Sequence, residues 1–470
     1  MIAVEEQLSI RKPLQDIEGV LVRLAMAHPV EMTEPILDDL RYIVSFARMT
    51  TVRNSDGVDI YVADALTLHR KWIQDFLNRL LDSKSSLDVL SHLPKLREET
   101  RVMRRKILHH FPLDRDSLEA EVCERQLVLV LGGGGGGGYG YTGALNLLNR
   151  YKLQPSLLAG TSIGALVGMF RARNYIYDPL PMYEAAKQLQ WNTVFRVLEM
   201  KSRYGIPATL RLYLRHSLGS MFQYEDGSFM RFSTAEIPLL VVTTGITMDA
   251  FKHDLSYYEH FMDDALLEGE RLRVSRIRRV TRIFSIIQEF LSNREALKEV
   301  VFGLDPLTME ADVLDAAGFS AAVPGLIHYD IIRDSPKMHR LLEALYAEYG
   351  ITRLGEGGLV NNVPSRPAYQ AVMQGRITRR NPFVLSMDCF SPQTRSLLWY
   401  PIQQLVQFNV RQNLPYSSLY FALNKRLKAI NVVPSVDQIS KAIEWTISEF
   451  EPHMPYISRM CKQTSVLSEQ

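Results

Sequence analysis

The sequence predicts an α/β fold built on a mostly parallel central sheet, with helical regions added at both ends. Three observations carry that expectation. From Gln126 onward the chain alternates strand, loop and helix, the pattern that buries a parallel sheet between helical layers. A run of seven glycines, Gly132 to Gly138, follows the apolar stretch Gln126–Leu131. A second glycine-framed turn, Gly160-Thr161-Ser162-Ile163-Gly164, follows the apolar Leu157-Leu158-Ala159.

Bulk composition bounds the rest. At 470 residues the chain is too long for one ordinary core, so a main domain with appended segments is expected. Hydrophobic residues make up 46% and charged residues 23%, which excludes wholesale disorder. A net charge of +2 offers no global case for nucleic acid; a charged partner would need a local patch. Cys123, Cys389 and Cys461 are too few and too scattered for a disulfide framework or a metal site, in keeping with a reducing compartment. Met1–Gln7 lacks the basic region and apolar core of a secretory signal. No stretch approaches the ~18 apolar residues of a spanning helix. The expectation is a cytoplasmic protein that meets lipid, if at all, as a peripheral membrane protein.

Three regions follow. Residues 1–124 read as a helical accessory domain, with apolar positions at helical spacing in Ile17, Val20, Leu21, Leu24 and Ala25, and in Leu66, Leu68, Trp72, Ile73, Phe76 and Leu77. Pro94 suits the first turn of a helix reaching His110. Its Arg97, Arg101, Arg104, Arg105 and Lys106 read as a solvated face in preference to a phosphate-binding patch. Residues 125–390 form the α/β domain: a strand over 127–131, a helix over 142–151, a strand near Leu157, a helix over 165–173, and buried strands over 237–244 and 383–387. A helical insertion over about 255–302 carries Arg271, Arg273, Arg276, Arg278, Arg279 and Arg282 among apolar residues. It reads as a helix docked on the sheet in preference to one lying on an anionic membrane. Residues 391–470 read as a helical region whose Trp399, Tyr400, Phe408, Tyr416, Tyr420 and Phe421 serve packing.

The glycine run matches G-x-G-x-x-G, so a nucleotide-binding module must be weighed. That fold places an acidic residue about twenty positions further on, where this chain has Leu153-Gln154-Pro155-Ser156-Leu157. Gly160-x-Ser162-x-Gly164 is the better guide. An apolar strand before it and the helix-forming Ala165–Phe170 after it suit a nucleophile elbow, in which a serine sits on a sharp strand-to-helix bend. Such a serine lies at a helix N-terminus, where the dipole favours negative charge, and it needs a base. His328, His339 and His453 follow it, none in a recognisable setting. Glu356 stands out: in Gly355-Glu356-Gly357-Gly358-Leu359-Val360-Asn361-Asn362-Val363-Pro364 a carboxylate is framed by glycines and followed by Asn and Pro.

Together these segments resemble the patatin-like phospholipases, lipid acyl hydrolases with a Ser–Asp dyad. The family's oxyanion loop G-G-G-x-[RK]-G corresponds to Gly133-Gly134-Gly135-Gly136-Gly137-Gly138, its G-x-S-x-G elbow to Gly160, Ser162 and Gly164, and its D-G-[GA] loop with N-x-P to Glu356-Gly357-Gly358 with Asn362 and Pro364. Ala316 to Gly325 looks like its A-S-x-A-x-P segment. The resemblance spans roughly Arg125 to Cys389 and departs at two positions: Glu356 stands where the family has Asp, and Gly137 where it has Arg or Lys.

The resemblance implies a three-layer patatin-like fold and hydrolysis of fatty-acyl esters of phospholipid or acylglycerol. Ser162 would be the nucleophile, Glu356 the base, and Gly133, Gly134, Gly135, Gly136 and Gly138 the oxyanion loop. No metal or other cofactor is expected: the chain has no acidic calcium loop and no His/Cys cluster. The expected partners are lipid at a membrane or droplet surface and a regulatory protein for the N-terminal region, with no nucleic acid. A catalytically degenerate member that binds lipid or protein is the alternative, motivated by Glu356 and Gly137; a nucleotide-binding module comes last.

Overall fold

Five parallel strands make the centre of the molecule because their sequences are nearly continuous apolar runs, suited to burial on both faces. The structure, a computed structural model, describes residues 3–82, 86–188, 190–197, 202–206, 208–248, 294–331, 333, 335–393 and 400–468. Strands β1 (Thr51–Arg53) and β2 (Asp59–Tyr61) form a small hairpin. The main sheet uses β3 (Gln126–Leu131), β4 (Pro155–Thr161), β7 (Leu239–Ile246), β8 (Leu297–Phe302), β10 (Arg353–Gly355), β11 (Pro382–Asp388) and β12 (Leu419–Ala422). Between them fall β5 (Phe195–Val197), β6 (Ala208–Leu212) and β9 (Gly325–His328), a separate three-stranded sheet.

The main sheet runs β12-β11-β3-β4-β7, all parallel. Strand β8 lies antiparallel along one edge of β7. The other edge of β7 is shared. Its first half, Leu239–Val242, pairs with β4 in parallel, and its second half, Thr244–Ile246, pairs with β10 in antiparallel fashion. Strands β4 and β10 therefore point at each other along β7. Their tips, Thr161 opposite Val242 and Gly355 opposite Thr244, are separated only by the level of Thr243.

The period of two along a strand splits the core into two layers. Leu127, Leu129 and Leu131 of β3 join one cluster with Phe383, Leu385 and Met387, covered by helices α3 (Tyr141–Arg150) and α4 (Ile163–Ala172). Val128 and Val130 join the opposite cluster with Val384, Ala368 and Tyr369. The first cluster continues without a break into the N-terminal helices α1 (Val4–Ala27) and α2 (Glu34–Ala47) through Leu14, Ile17, Leu21, Leu40 and Ile43. Mixed α/β architecture, a mostly parallel central sheet and helices at both termini are as expected.

Three differences in detail have physical causes. Residues 297–302, read as the end of a helical insertion, are strand β8. Val300, Val301 and Phe302 are β-formers that complete the free edge of β7. Residues 255–293 of that insertion, with Arg271 to Arg282, lie outside the described residues, as does Trp399. The N-terminal region also contains the β1–β2 hairpin, whose Asn54 side chain accepts the N–H groups of Asp56 and Val58 and closes the turn. Finally, Arg104 of Leu93–His110 is not solvated: it is buried against Glu119, Tyr42 and the Leu467 carbonyl. Its neighbours Arg97 and Arg105 pair with Asp39 and Glu98.

One buried ionic cluster ties the termini to the sheet. Glu18 of α1 receives Arg41 at 3.1 Å, Arg48 at 2.5 Å, and Arg125. These arginines continue to the Met460, Asn381 and Pro382 backbone or side-chain oxygens. Burial alone would raise the Glu18 pKa, but Arg125, Arg48 and Arg41 outweigh it and hold the carboxyl well below the usual range. The stabilisation is therefore present above the unfolded-state pKa and lost as pH falls. Removing one member of such a buried cluster leaves uncompensated charge. Glu18→Ala is expected to lower the unfolding free energy in urea by about 3–5 kcal/mol; a loss under about 1 kcal/mol would contradict this role.

Candidate active site

The end-to-end arrangement of β4 and β10 brings Ser162 and Glu356, the next residue beyond each tip, together. Ser162 has φ 55° and ψ −124°, a backbone conformation rare for a side-chain-bearing residue and typical of a strained functional turn. The flanking glycines make room for it. A Cβ on Gly160 would lie 2.5 Å from the Gly164 carbonyl oxygen, and one on Gly164 would lie 2.0 Å from that of Leu131. Helix α4 starts at once, so the serine stands at its N-terminus.

Ser162 Oγ donates to Glu356 Oε2 at 3.1 Å. The other carboxylate oxygen, Oε1, accepts the Gly358 N–H at 3.3 Å. The backbone of Glu356 is held on both sides: its N–H donates to the Ala322 carbonyl at 2.9 Å, and its carbonyl accepts from Thr244 Oγ1 at 2.6 Å. The carboxyl opens on an apolar cavity rather than on bulk water. Burial pushes its pKa up to about 8, against smaller opposing pulls from the Gly358 N–H and the Ser162 hydroxyl.

The glycine run wraps over this pair. Gly132 N–H donates to Met387 O, Gly133 N–H to Asn362 O, Gly136 N–H to Ala429 O and Gly137 N–H to Gly134 O. Among the described residues, the N–H groups of Gly134 and Gly135 make no hydrogen bond, and both glycines line the cavity. Gly138 instead packs on Ile163, which a Cβ there would meet at 2.4 Å. Gly135 has φ 54°, and a Cβ on it would meet the Ala429 carbonyl oxygen at 2.1 Å. Asn362 braces the loop from below, donating from Nδ2 to Gly133 O at 3.3 Å. Gly357 and Gly358 follow the carboxylate; Gly357 lies so close to the Val242 carbonyl that a Cβ would approach it to 2.2 Å.

The cavity measures about 420 Å³, within the range of small-ligand sites. Its walls are almost wholly apolar: Leu166, Phe170, Phe195, Leu212, Leu326 and Val406 among others, with Ser162 and Glu356 at one side. Trp191 and Ile430 line it while remaining 51% and 55% exposed, so it opens to the surface there.

None of the candidate histidines lines it. His328 is buried with Nδ1 at the Ile206 carbonyl, His339 Nδ1 pairs with Tyr204 Oη, and His453 packs on Phe421. Cys389, beside Gly133 and Gly134, is held as a thiol: burial pushes it up to about 12. Position 137 is crowded, since a Cβ would lie 2.8 Å from Cys389 O and 3.4 Å from Arg426 Cδ. The nearby cation is thus Arg426, which bonds Ser391 Oγ at 2.8 Å.

Tyr141 and residues 428–433 carried no sequence signal of their own, whereas Ser320 lies within Ala316–Gly325, the segment that looks like the A-S-x-A-x-P motif. Tyr141 Oη shares its one proton between the Gly132 carbonyl at 2.9 Å and the Met387 carbonyl at 3.2 Å and accepts the Cys389 N–H, pinning the start of the glycine loop. Ser320 Oγ accepts the Ser162 N–H. Residues 428–433 roof the loop from beyond the α/β domain. Only the glycine of a close backbone approach, or a motif match, could have hinted at them.

The fold and the site define a class: α/β proteins that present a serine on a strand-to-helix elbow against a carboxylate, beneath a glycine loop. More particularly, the chain belongs to the patatin-like phospholipase family, whose model matches residues 129–369. The matched region contains Ser162 and Glu356 and all of the glycine run. No curated protein matches the chain. The family is generally one of lipid acyl hydrolases.

The raised Glu356 pKa has a stability consequence. A carboxyl whose folded pKa lies above its unfolded value of 4.5 favours folding below that pH, and this advantage is lost as pH rises towards about 8. Glu356→Gln removes the titration. Its melting temperature relative to wild type is expected to climb between pH 5 and pH 9; a difference independent of pH would contradict the shift.

Proposed function

We propose that the protein hydrolyses fatty-acyl esters of lipids through Ser162 and Glu356. The observation that carries this is the 3.1 Å hydrogen bond from Ser162 Oγ to a carboxylate inside an apolar cavity. Ser162 Oγ attacks the acyl carbonyl while its proton passes to Glu356. The N–H groups of Gly134 and Gly135, left without partners among the described residues, suit the developing oxyanion. Such a donor contributes about 3 kcal/mol to the transition state. The alcohol departs with the proton from Glu356. Water, deprotonated by the same carboxylate, then releases the fatty acid and regenerates the serine.

The extra methylene of Glu over Asp is taken up by the backbone hold on residue 356, since its oxygen lies within hydrogen-bond reach of the serine. The acyl chain fits the apolar walls, and the half-exposed Trp191 and Ile430 support entry from a membrane or droplet surface. Among the described residues no helix is long and apolar enough to cross a membrane. A second reading, a family member that binds lipid without turnover, is favoured by the burial of the Glu356 carboxyl, which pushes it up to about 8 and so keeps it mostly protonated at neutral pH.

Fatty-acid release from phospholipid, triacylglycerol and a short p-nitrophenyl ester separates the two. Wild type is expected to be active with a rate rising through about pH 8. Ser162→Ala should abolish it, and Glu356→Asp should cost on the order of a hundredfold by withdrawing the carboxylate about 1.5 Å. Activity surviving in Ser162→Ala would sink the mechanism. An inert wild type that gains activity as Glu356→Asp would favour the binding reading.

A further inference from the structure

The rung that should close the ladder between β4 and β7 is open, and a side chain fills it. Earlier along the pair, the Leu158 N–H donates to the Pro238 carbonyl. Ladder bonds on one edge of a strand recur every second residue, so the same series carried forward would join Ser162 N–H to Val242 O. Instead Ser320 Oγ stands between them. It accepts the Ser162 N–H at 2.8 Å and donates to the Val242 carbonyl at 2.6 Å. Ser320 is completely buried at the end of the helix Val313–Ser320. Two residues later, the Ala322 carbonyl accepts the Glu356 N–H.

We propose that Ser320 is a positioning residue: its hydroxyl replaces the last rung of the ladder, lets β4 turn away from β7 into the elbow, and sets Ser162 opposite Glu356. The catalytic consequence rests on the hydrolase reading; the geometric one does not. Three features support it. A positive-φ residue persists only where its surroundings over-determine it, and Ser320 supplies the one hydrogen bond given to the Ser162 N–H. A hydroxyl can donate and accept at once, which the relay from Ser162 to Val242 requires. The turn 320–322 holds both members of the pair through their main-chain N–H groups, so their separation is set by two residues of one rigid segment.

Alanine at 320 would leave a buried donor and a buried acceptor unpaired. Native-state hydrogen exchange at the Ser162 amide reads the bond directly, without reference to catalysis. In Ser320→Ala its protection should fall to that of a locally open amide, and fluorophosphonate labelling of Ser162 should slow by about a hundredfold. For lipid hydrolysis, kcat should fall with KM preserved. Should Ser320→Ala fail to fold, Ser320→Cys, of similar size and a weaker acceptor, should show partial loss of both. Unchanged Ser162 protection in the folded variant would overturn the proposal, as would a lowered melting temperature with kcat intact. Loss of protection in the variant, combined with a wild type that neither labels nor hydrolyses, would support the positioning role and overturn the hydrolase reading instead.

Discussion

A backbone forced to φ 55° at Ser162 is the constraint on which the rest of the molecule converges. The chain must leave β4, turn sharply and start α4 with no clash. It can do so only because Gly160 and Gly164 present bare backbone to their neighbours. Beneath the turn, Ser320 takes up the amide that the ladder abandons. Above it, the glycine run closes down on Gly133, where a Cβ would lie 3.1 Å from Ser162 Cβ. Strain at one residue is thus held by its own flanking glycines and by two further segments, the end of the helix at Ser320 and the glycine run, the usual condition for a strained conformation to survive in a marginally stable protein.

The second partner is set by topology rather than by strain. Strand β10 is three residues long and pairs with the part of β7 that β4 has left vacant. Because it runs antiparallel, its end meets the end of β4, and Glu356 arrives facing the serine. The apolar cavity that suits an acyl chain also desolvates this carboxyl, raising its pKa while leaving few competing hydrogen bonds. Under the proposed hydrolysis, one environment would therefore serve acyl-chain burial and basicity together. A side chain at position 137, where the resemblance leads one to expect Arg or Lys, would press on the Cys389 carbonyl, and Arg426 lies against that spot from the C-terminal region. Residues 428–433 and strand β12 make that region part of the sheet and of the cavity roof.

Much of this was legible in the sequence, for reasons that are local. Strands β3, β4, β7 and β11 announce themselves as apolar runs, and the elbow glycines and the Glu356 loop as clusters of residues with special backbone freedom. What stayed hidden depends on distant pairing. Nothing in Leu297–Phe302 reveals that it completes an edge of β7, and its neighbouring arginine-rich stretch favours a helical reading. Ser320 is one buried serine in an apolar helix; its meaning lies in an amide 158 residues away. Likewise the arginines of Leu93–His110 look like a solvated face until Glu119 and Tyr42 are brought against Arg104. Glycines that line the cavity cannot be told by sequence from those, such as Gly136 and Gly138, that pack on the roof or on Ile163.

We propose that Ser162 is a nucleophile whose reactivity the Glu356 carboxylate governs. The decisive measurement is the intact mass of the protein after fluorophosphonate labelling across pH. A single adduct is expected, on Ser162, forming at a rate that rises with pH and levels off above about 8, with the rise absent in Glu356→Gln. No adduct on Ser162, or a labelling rate with the same pH dependence in Glu356→Gln as in wild type, would contradict it.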